Sequence, residues 1–163
     1  MKIYIAKDAG YCFGVRDAVN MAYDAAAEHG EVYMLGTIVH NERVVENLNN
    51  AGAKVVKKID EVPDGKTLLF RAHGTSPKLW EEAKKKNINL VDGTCPLVTE
   101  IHHEIKLLQK EGRKTIIIGD HGHDEVVAIA AQVKKPIIIA NIDEAKKMRK
   151  IKRAGIVSQS TQM

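Results

Sequence analysis

Short runs of β-branched and other apolar residues alternate along this chain with longer amphipathic segments, and this alternation constrains the fold more than any other feature. The pattern is typical of strand–helix–strand units that build a mostly parallel sheet. We predict strands at 2–6, 32–35, 54–56, 68–71, 89–91, 115–118, 137–140 and 156–158, and helices at 13–29, 42–51, 77–86, 96–111, 124–132 and 143–149. The fold class is therefore α/β.

The predicted elements divide into two successive α/β lobes, 1–93 and 94–163, with the break near Asp92–Cys95. The last predicted strand ends five residues before Met163, and no helix follows it that could cover its second face. Strands of a parallel sheet normally have both faces covered. We therefore expect the second lobe to be incomplete, so that the chain is a fragment or needs a partner.

The bulk composition describes a globular protein and excludes several other classes. The chain has 163 residues, of which 44% are hydrophobic, and a formal net charge of +4. It contains neither an apolar run long enough to span a membrane nor a secretory signal, so we expect a cytoplasmic protein with no membrane partner. The lysine-rich runs lack the aromatic residues that stack on bases, and we interpret them as solvated helix faces rather than a nucleic-acid interface.

The two cysteines, Cys12 and Cys95, each lie between a predicted strand and a predicted helix. The N–H groups at a helix start favour a thiolate, which is the form that binds metals. Tetrahedral zinc would need two more ligands, whereas an iron–sulfur cluster with one open iron would need a third cysteine, which this chain does not contain. The residues alone leave a metal site, a cluster and two buried core cysteines as alternatives.

Three histidines, His40, His73 and His123, also follow predicted strands. Because the carboxyl ends of parallel strands lie at one edge of a sheet, these histidines and the two cysteines are expected to converge on one pocket. With the N–H groups of nearby helix starts, the imidazoles would form a cationic nest for a phosphate or diphosphate. The alternative for each histidine is a surface or capping role.

Glu125 lies two residues after His123 and is the acid best placed to transfer a proton into such a nest. Its alternative role is a first-turn carboxylate that complements the helix dipole. His102 and His103 lie inside a predicted helix, and we interpret them as packing or surface residues.

Six ordered segments resemble the LytB/IspH family of 4-hydroxy-3-methylbut-2-enyl diphosphate reductases. They are Gly-Tyr-Cys-Phe-Gly-Val around Cys12, Val39-His40-Asn41, Ala72-His73-Gly74, Thr94-Cys95-Pro96-Leu97-Val98-Thr99, Gly122-His123-Asp124-Glu125-Val126 and Ser158-Gln159-Ser160-Thr161. The six segments occur in the family's order and approximate spacing and together extend over nearly the whole chain, so the match is specific.

The resemblance implies a trefoil of three α/β lobes around a 4Fe-4S cluster. It implies that two electrons and two protons remove the substrate hydroxyl as water and yield isopentenyl and dimethylallyl diphosphates, in the last step of the non-mevalonate isoprenoid route. A flavodoxin or ferredoxin would supply the electrons. The implied roles are cluster ligation by Cys12 and Cys95, diphosphate binding by His40, His73 and His123, proton supply by Glu125, and contacts to the substrate hydroxyl by Ser160, Gln159 and Thr161.

Two departures from the family pattern affect these expectations. Asp124 stands where the family usually has a proline and adds negative charge beside the expected diphosphate ligands. The third lobe, with the third cysteine, would lie beyond Met163, so this chain alone is expected to be inactive or nearly so. The alternatives to a reductase fragment are a non-catalytic diphosphate-binding module and a Cys/His zinc-binding domain.

Overall fold

A computed structural model describes residues 1–5 and 10–159 of the chain. Seven strands are present: β1 Val32–Leu35, β2 Ala53–Val56, β3 Thr67–Phe70, β4 Asn89–Asp92, β5 Lys114–Ile118, β6 Ile137–Ile139 and β7 Ala154–Ser158. The helices are α1 Phe13–His29, α2 Glu42–Asn50, α3 Pro77–Lys84, α4 Pro96–Lys110, α5 Asp124–Ala130 and α6 Ile142–Lys146, with a 3-10 turn at Ile59–Glu61. Helices and parallel strands alternate, which confirms the predicted fold class.

The first sheet has the strand order β2-β1-β3-β4, and all its strand pairs are parallel. We call this sheet with α1, α2 and α3 the first lobe. Local signals set where its helices begin: the Asn41 side chain accepts a hydrogen bond from the Val44 N–H at 3.2 Å, and Ser76 accepts one from Leu79 at 3.3 Å. Pro77 follows Ser76 and occupies the first helical position, where its missing N–H costs nothing.

Both faces of the first sheet are buried. On one face α1 and α2 cover Val32, Met34 and Leu69, and the alanines of α1 allow a close approach. On the other face α3 and the 3-10 turn cover a cluster that includes Leu68 and Phe70. The alternation of Leu68, Leu69 and Phe70 between the two clusters is the period-2 pattern of a strand buried on both sides.

The second sheet has the order β6-β5-β7, again with parallel pairs, and we call it with α4, α5 and α6 the second lobe. Its inner face packs Ile117 against Ile105 of α4 and Ile129 of α5. On its outer face Ile118 remains 39% exposed and Ile156 59% exposed. We call this partly exposed side the open face of the second sheet, and the predicted incompleteness of the second lobe stays a prediction.

One predicted strand is wrong within the described residues. Residues 2–5 have no regular secondary structure, and residue 6 lies outside the described residues. Ile3, Tyr4 and Ile5 are 72%, 87% and 83% exposed. An apolar run becomes a strand only where a neighbouring strand pairs with its backbone, and none of the described strands does so here.

The other predicted elements are confirmed with small shifts at their ends. Helix α1 has the predicted bounds, and α3 and α5 each end two residues early. The 3-10 turn was not predicted, and the division of the chain at residues 93 and 94 stays a prediction. In the described part of the chain, no helix is long and apolar enough to cross a bilayer.

Candidate functional site

Three histidines from both lobes meet at the junction of the two sheets. His40 lies in the segment after β1, His73 in the turn after β3, and His123 at the residue before α5. The ring centroids are 5.2 Å apart for His40 and His73, 5.8 Å for His73 and His123, and 6.3 Å for His40 and His123. The structure thus brings together the histidines that the sequence places at strand ends. We call these three side chains the histidine cluster.

Local hydrogen bonding and burial set the state of two of these rings. The N–H of Glu125 donates to Nδ1 of His123 at 3.2 Å, so the ring proton of neutral His123 belongs on Nε2, which is free to donate. His73 Nδ1 is buried and has no hydrogen-bond partner among the described residues. Burial lowers the pKa of His73 below its ordinary value, and the charges of Arg71 and His40 lower it further. His73 is therefore neutral at pH 7.

An ion pair that the sequence analysis missed lies beside the histidine cluster. Both guanidinium NH₂ groups of Arg71 donate to the carboxylate of Asp124, at 2.6 and 2.7 Å, and the side chains are 25% and 31% exposed. Gly36 makes room for it, because a Cβ there would lie 2.8 Å from Arg71 Nη1. The pair joins the end of β3 to the start of α5, and it neutralises the negative charge that Asp124 brings to the site.

The two cysteines occupy equivalent positions, each immediately before a long helix. Cys12 precedes α1 and is exposed, and Cys95 precedes α4 and is half-buried; both thiols are free. A Cβ on Gly14 would lie 2.4 Å from Cys95 Sγ, so the Cys95 thiol rests on the first turn of the helix that follows Cys12. The Cys95 N–H donates to Ala72 O at 3.1 Å, which places this cysteine next to the His73 turn.

Glu125 is 4% exposed in the first turn of α5. It is close enough to act electrostatically on His102 of α4, a residue that the sequence analysis assigned to packing. Burial lowers the pKa of His102, the Lys106 charge adds to this effect, and Glu125 and Asp92 oppose it. Nε2 of His102 is buried without a hydrogen-bond partner among the described residues. A histidine inside a helix gives no sequence signal that separates this environment from ordinary packing.

The remaining predicted substrate ligands have a different placement. The Gln159 side chain is 1% exposed, and its Oε1 accepts a hydrogen bond from the Asp120 N–H at 3.0 Å. Its own N–H donates to Ile118 O at 2.8 Å, so Gln159 ties the end of β7 to the loop after β5. Ser160 and Thr161 lie outside the described residues. Their predicted contacts with the substrate hydroxyl stay predictions.

Fold and site together define an α/β protein of two parallel-sheet lobes, with histidines and thiols at the junction. The chain belongs to the LytB protein family, whose model matches residues 3–163. It is 40% identical over 163 residues to 4-hydroxy-3-methylbut-2-enyl diphosphate reductase of Geobacter metallireducens, and 36% identical over 167 residues to the protein of that name from Anaplasma marginale. These alignments cover 99% of this chain but 57% and 49% of the two relatives.

Solved structures agree with the family assignment. The E-1-hydroxy-2-methyl-but-2-enyl-4-diphosphate reductase of Plasmodium falciparum matches with a TM-score of 0.89 and 31% identity, over 95% of this chain and 50% of that one. A second structure, of (E)-4-hydroxy-3-methyl-but-2-enyl diphosphate reductase, matches with a TM-score of 0.87 and 34% identity, over 99% and 59%. It is described as the terminal enzyme of the non-mevalonate pathway. The resemblance seen in the sequence motifs is confirmed, and the chain spans about half of these relatives, between 49% and 59% of their lengths.

Proposed function

We propose that this chain supplies the diphosphate-binding histidines and two cluster cysteines of a 4-hydroxy-3-methylbut-2-enyl diphosphate reductase. The observation that carries the proposal is the convergence of His40, His73 and His123 within 6.3 Å of one another, ring to ring, beside the turn that contacts Cys95. Membership of a family whose similar members carry that name supports the reaction class.

The histidine cluster suits a diphosphate because it offers several N–H donors from separate elements. Each neutral imidazole offers one N–H donor to the anion, and for His123 this donor is Nε2–H, because its Nδ1 accepts from the Glu125 N–H. Arg71 neutralises Asp124, so the carboxylate does not repel the anion as an unpaired one would. The role of the three histidines is therefore to bind and orient the diphosphate while the hydroxyl end of the substrate faces the cysteines.

Cys12 and Cys95 are the residues that would hold the cluster. Thiolates are the usual ligands of iron–sulfur clusters. Because Gly14 has no side chain, the Cys95 thiol can lie against the helix that follows Cys12. A bound 4Fe-4S cluster would supply two electrons, delivered singly, and a Lewis-acidic iron for the substrate oxygen. This chain supplies two thiols, so the third cysteine is proposed to come from the remaining part of the protein.

Glu125 is the proposed proton donor. Glu125 is buried, and its backbone N–H donates to Nδ1 of His123, so the acid and the proposed diphosphate ligand lie on the same turn. In this role Glu125 gives a proton to the leaving hydroxyl, which departs as water, and a second proton completes the reduced product. Its removal is expected to stop proton transfer while leaving diphosphate binding in place.

The partners and the setting follow from the same proposal. The electron donor is a small redox protein such as a flavodoxin or ferredoxin, and the setting is the cytoplasm. The chain spans 57% of the Geobacter metallireducens relative, so the missing lobe is part of the proposed active enzyme. We expect reductase activity from the chain alone to be very low and the addition of the missing lobe to restore it.

Calorimetry with inorganic diphosphate tests the binding part of the proposal. His40→Ala, His73→Ala and His123→Ala should each weaken binding at least tenfold, because each removes a charge-assisted hydrogen bond. His103→Ala, an exposed histidine on α4, serves as the matched control and should bind as tightly as the unaltered protein. Equal binding by all four variants would exclude the histidine cluster as the diphosphate site.

Anaerobic reconstitution with iron and sulfide tests the cluster part. The visible absorption of the cluster should appear and should be lost in Cys12→Ser and in Cys95→Ser. Diphosphate binding without any cysteine-dependent cluster would favour the second candidate, a non-catalytic diphosphate-binding module. If the chain forms no cluster and binds no diphosphate, both candidates are excluded for this chain.

A further inference from the structure

We propose that His40, His73 and Asp124 form a binding site for a divalent transition-metal ion such as Zn²⁺. One potential ligand atom of each side chain lies within 4.8 Å of those of the other two. Two imidazoles and one carboxylate are a ligand set that proteins use for zinc and for non-haem iron, with further positions left for water. No thiol takes part, so this site is separate from the cysteines.

The site is assembled from three different elements. His40 comes from the segment after β1, His73 from the turn after β3, and Asp124 from the first turn of α5. The ligands therefore come from both lobes. A metal ion bound to all three would connect the lobes directly, beside the contact that the Arg71 ion pair already makes.

Arg71 holds the carboxylate of Asp124 in place for this role. Its two hydrogen bonds, at 2.6 and 2.7 Å, use one lone pair on each oxygen of Asp124. A carboxylate offers about four lone-pair sites, so two remain for a metal ion. Metal-binding carboxylates are commonly held by such an outer partner, which fixes their orientation. The carboxylate also stands between the guanidinium and the ion and screens their repulsion.

The two histidines can turn their nitrogens to a common ion at small cost. Their ring centroids are 5.2 Å apart, and His73 Nδ1 has no hydrogen bond among the described residues that would be lost. Water would fill the remaining coordination positions of the ion.

Metal binding at this site would change which ligands the histidine cluster can bind. An imidazole nitrogen that gives its lone pair to a metal cannot donate a hydrogen bond from the same atom to an anion. The metal-bound state and the direct imidazole–diphosphate contacts are therefore mutually exclusive for those nitrogens. The metal site does not depend on the reductase proposal, because it requires only the three side chains and their geometry.

Zinc calorimetry on the full chain with Cys12→Ser and Cys95→Ser tests the site without interference from thiols. We expect one Zn²⁺ per chain. Adding His40→Ala, His73→Ala or Asp124→Asn to this background should lower the affinity at least tenfold. Asp124→Asn keeps the side-chain shape, and His40 is exposed, so folding is retained in these two variants. Adding His103→Ala is the matched control and should leave the affinity within about twofold.

Cobalt absorption gives a second readout on the same proteins. Co²⁺ bound to nitrogen and oxygen ligands in a four- or five-coordinate site gives visible bands stronger than those of hydrated Co²⁺, and Asp124→Asn should weaken or shift them. Absence of Zn²⁺ binding in the thiol-free protein would overturn the proposal. So would Zn²⁺ affinity that the three ligand variants leave unchanged, or that His103→Ala lowers as much as they do. If the thiol-free protein without further substitutions binds inorganic diphosphate but no Zn²⁺, this inference alone is overturned and the proposed function stands.

Discussion

The two lobes differ in how completely their sheets are covered. In the first lobe, helices and the 3-10 turn bury both faces of a four-stranded sheet. In the second lobe, one face of a three-stranded sheet packs on α4 and α5, while Ile118 and Ile156 of the other face are 39% and 59% exposed. The first lobe therefore has a closed core independent of the junction, whereas the histidine cluster depends on the packing of the two lobes.

Removing a large side chain should reveal the largest difference in stability between the two lobes. Phe70 of β3 is fully buried and packs edge-on against Trp80 at 4.5 Å, so Phe70→Ala should lower the free energy of unfolding by about 3–5 kcal/mol. Ile156→Ala on the open face of the second sheet removes less burial and should cost below about 1 kcal/mol. Urea unfolding of both variants measures the difference, and equal losses would contradict the comparison.

The contact between Gly14 and the Cys95 thiol is the next test. Gly14→Ala would place a Cβ 2.4 Å from Cys95 Sγ, which forces the thiol or the start of α1 to move. We expect a loss of about 1–3 kcal/mol in the free energy of unfolding, despite the better helix propensity of alanine. Asn20→Ala, at an exposed position of the same helix, is the matched control and should be neutral or slightly stabilising. A stabilised Gly14→Ala protein would show that the two helix starts are not in firm contact.

The ion pair between the lobes should have a larger coupling energy than an exposed ion pair within one lobe. A double-mutant cycle of Arg71→Ala and Asp124→Ala should give a coupling energy of about 1–2 kcal/mol, because the bonds are bidentate and partly buried. The matched cycle on Asp143 and Lys146, which are 81% and 72% exposed, should give below about 0.5 kcal/mol. Equal coupling in both cycles would show that the junction gains nothing from Arg71.

Most of the fold follows from local pattern, and the exception shows the limit of that pattern. Helix α1 carries small apolar residues at helical spacing and ends at Gly30, whose φ of 76° and N–H bond to Ala26 O close the helix. The C-terminal end of α1 is therefore encoded locally. The segment 2–5 has an equally clear strand composition, yet it forms no strand. Strand formation depends on a partner, which no local window contains.

The site divides in the same way. The convergence of His40 and His73 was predictable because each follows a strand of the first sheet, and parallel strands end at one edge. His123 follows a strand of the second sheet, so its approach to them depends on how the two lobes pack. The ion pair of Arg71 and Asp124 was not predictable, because its members are 53 positions apart and no periodicity links them. In the sequence, Asp124 stands out only as a departure from the family pattern. Its pairing with Arg71, which neutralises its charge, is visible only in the three-dimensional structure.

Each lobe contributes one half-buried histidine to the pH dependence of stability, and this is the smallest effect we expect. Burial lowers the pKa of both His73 and His102 below the ordinary value of 6.5. The unfolded chain therefore binds more protons than the folded one in the window below pH 6.5, so the free energy of unfolding falls as the pH falls through that window towards the lowered values. Because solvent screens partly exposed groups, each histidine should contribute below about 1 kcal/mol.

Replacement of either histidine tests whether the two lobes unfold together. His73→Asn and His102→Asn should each flatten the slope of unfolding free energy against pH below 6.5, and the double variant should flatten it further. If the lobes unfold as one cooperative unit, both variants shift the same single transition. A transition that splits, with His102→Asn acting on the earlier step and His73→Asn on the later one, would instead show that the second lobe unfolds before the first. In that case the histidine cluster would come apart before the first lobe unfolds, because His123 belongs to the second lobe.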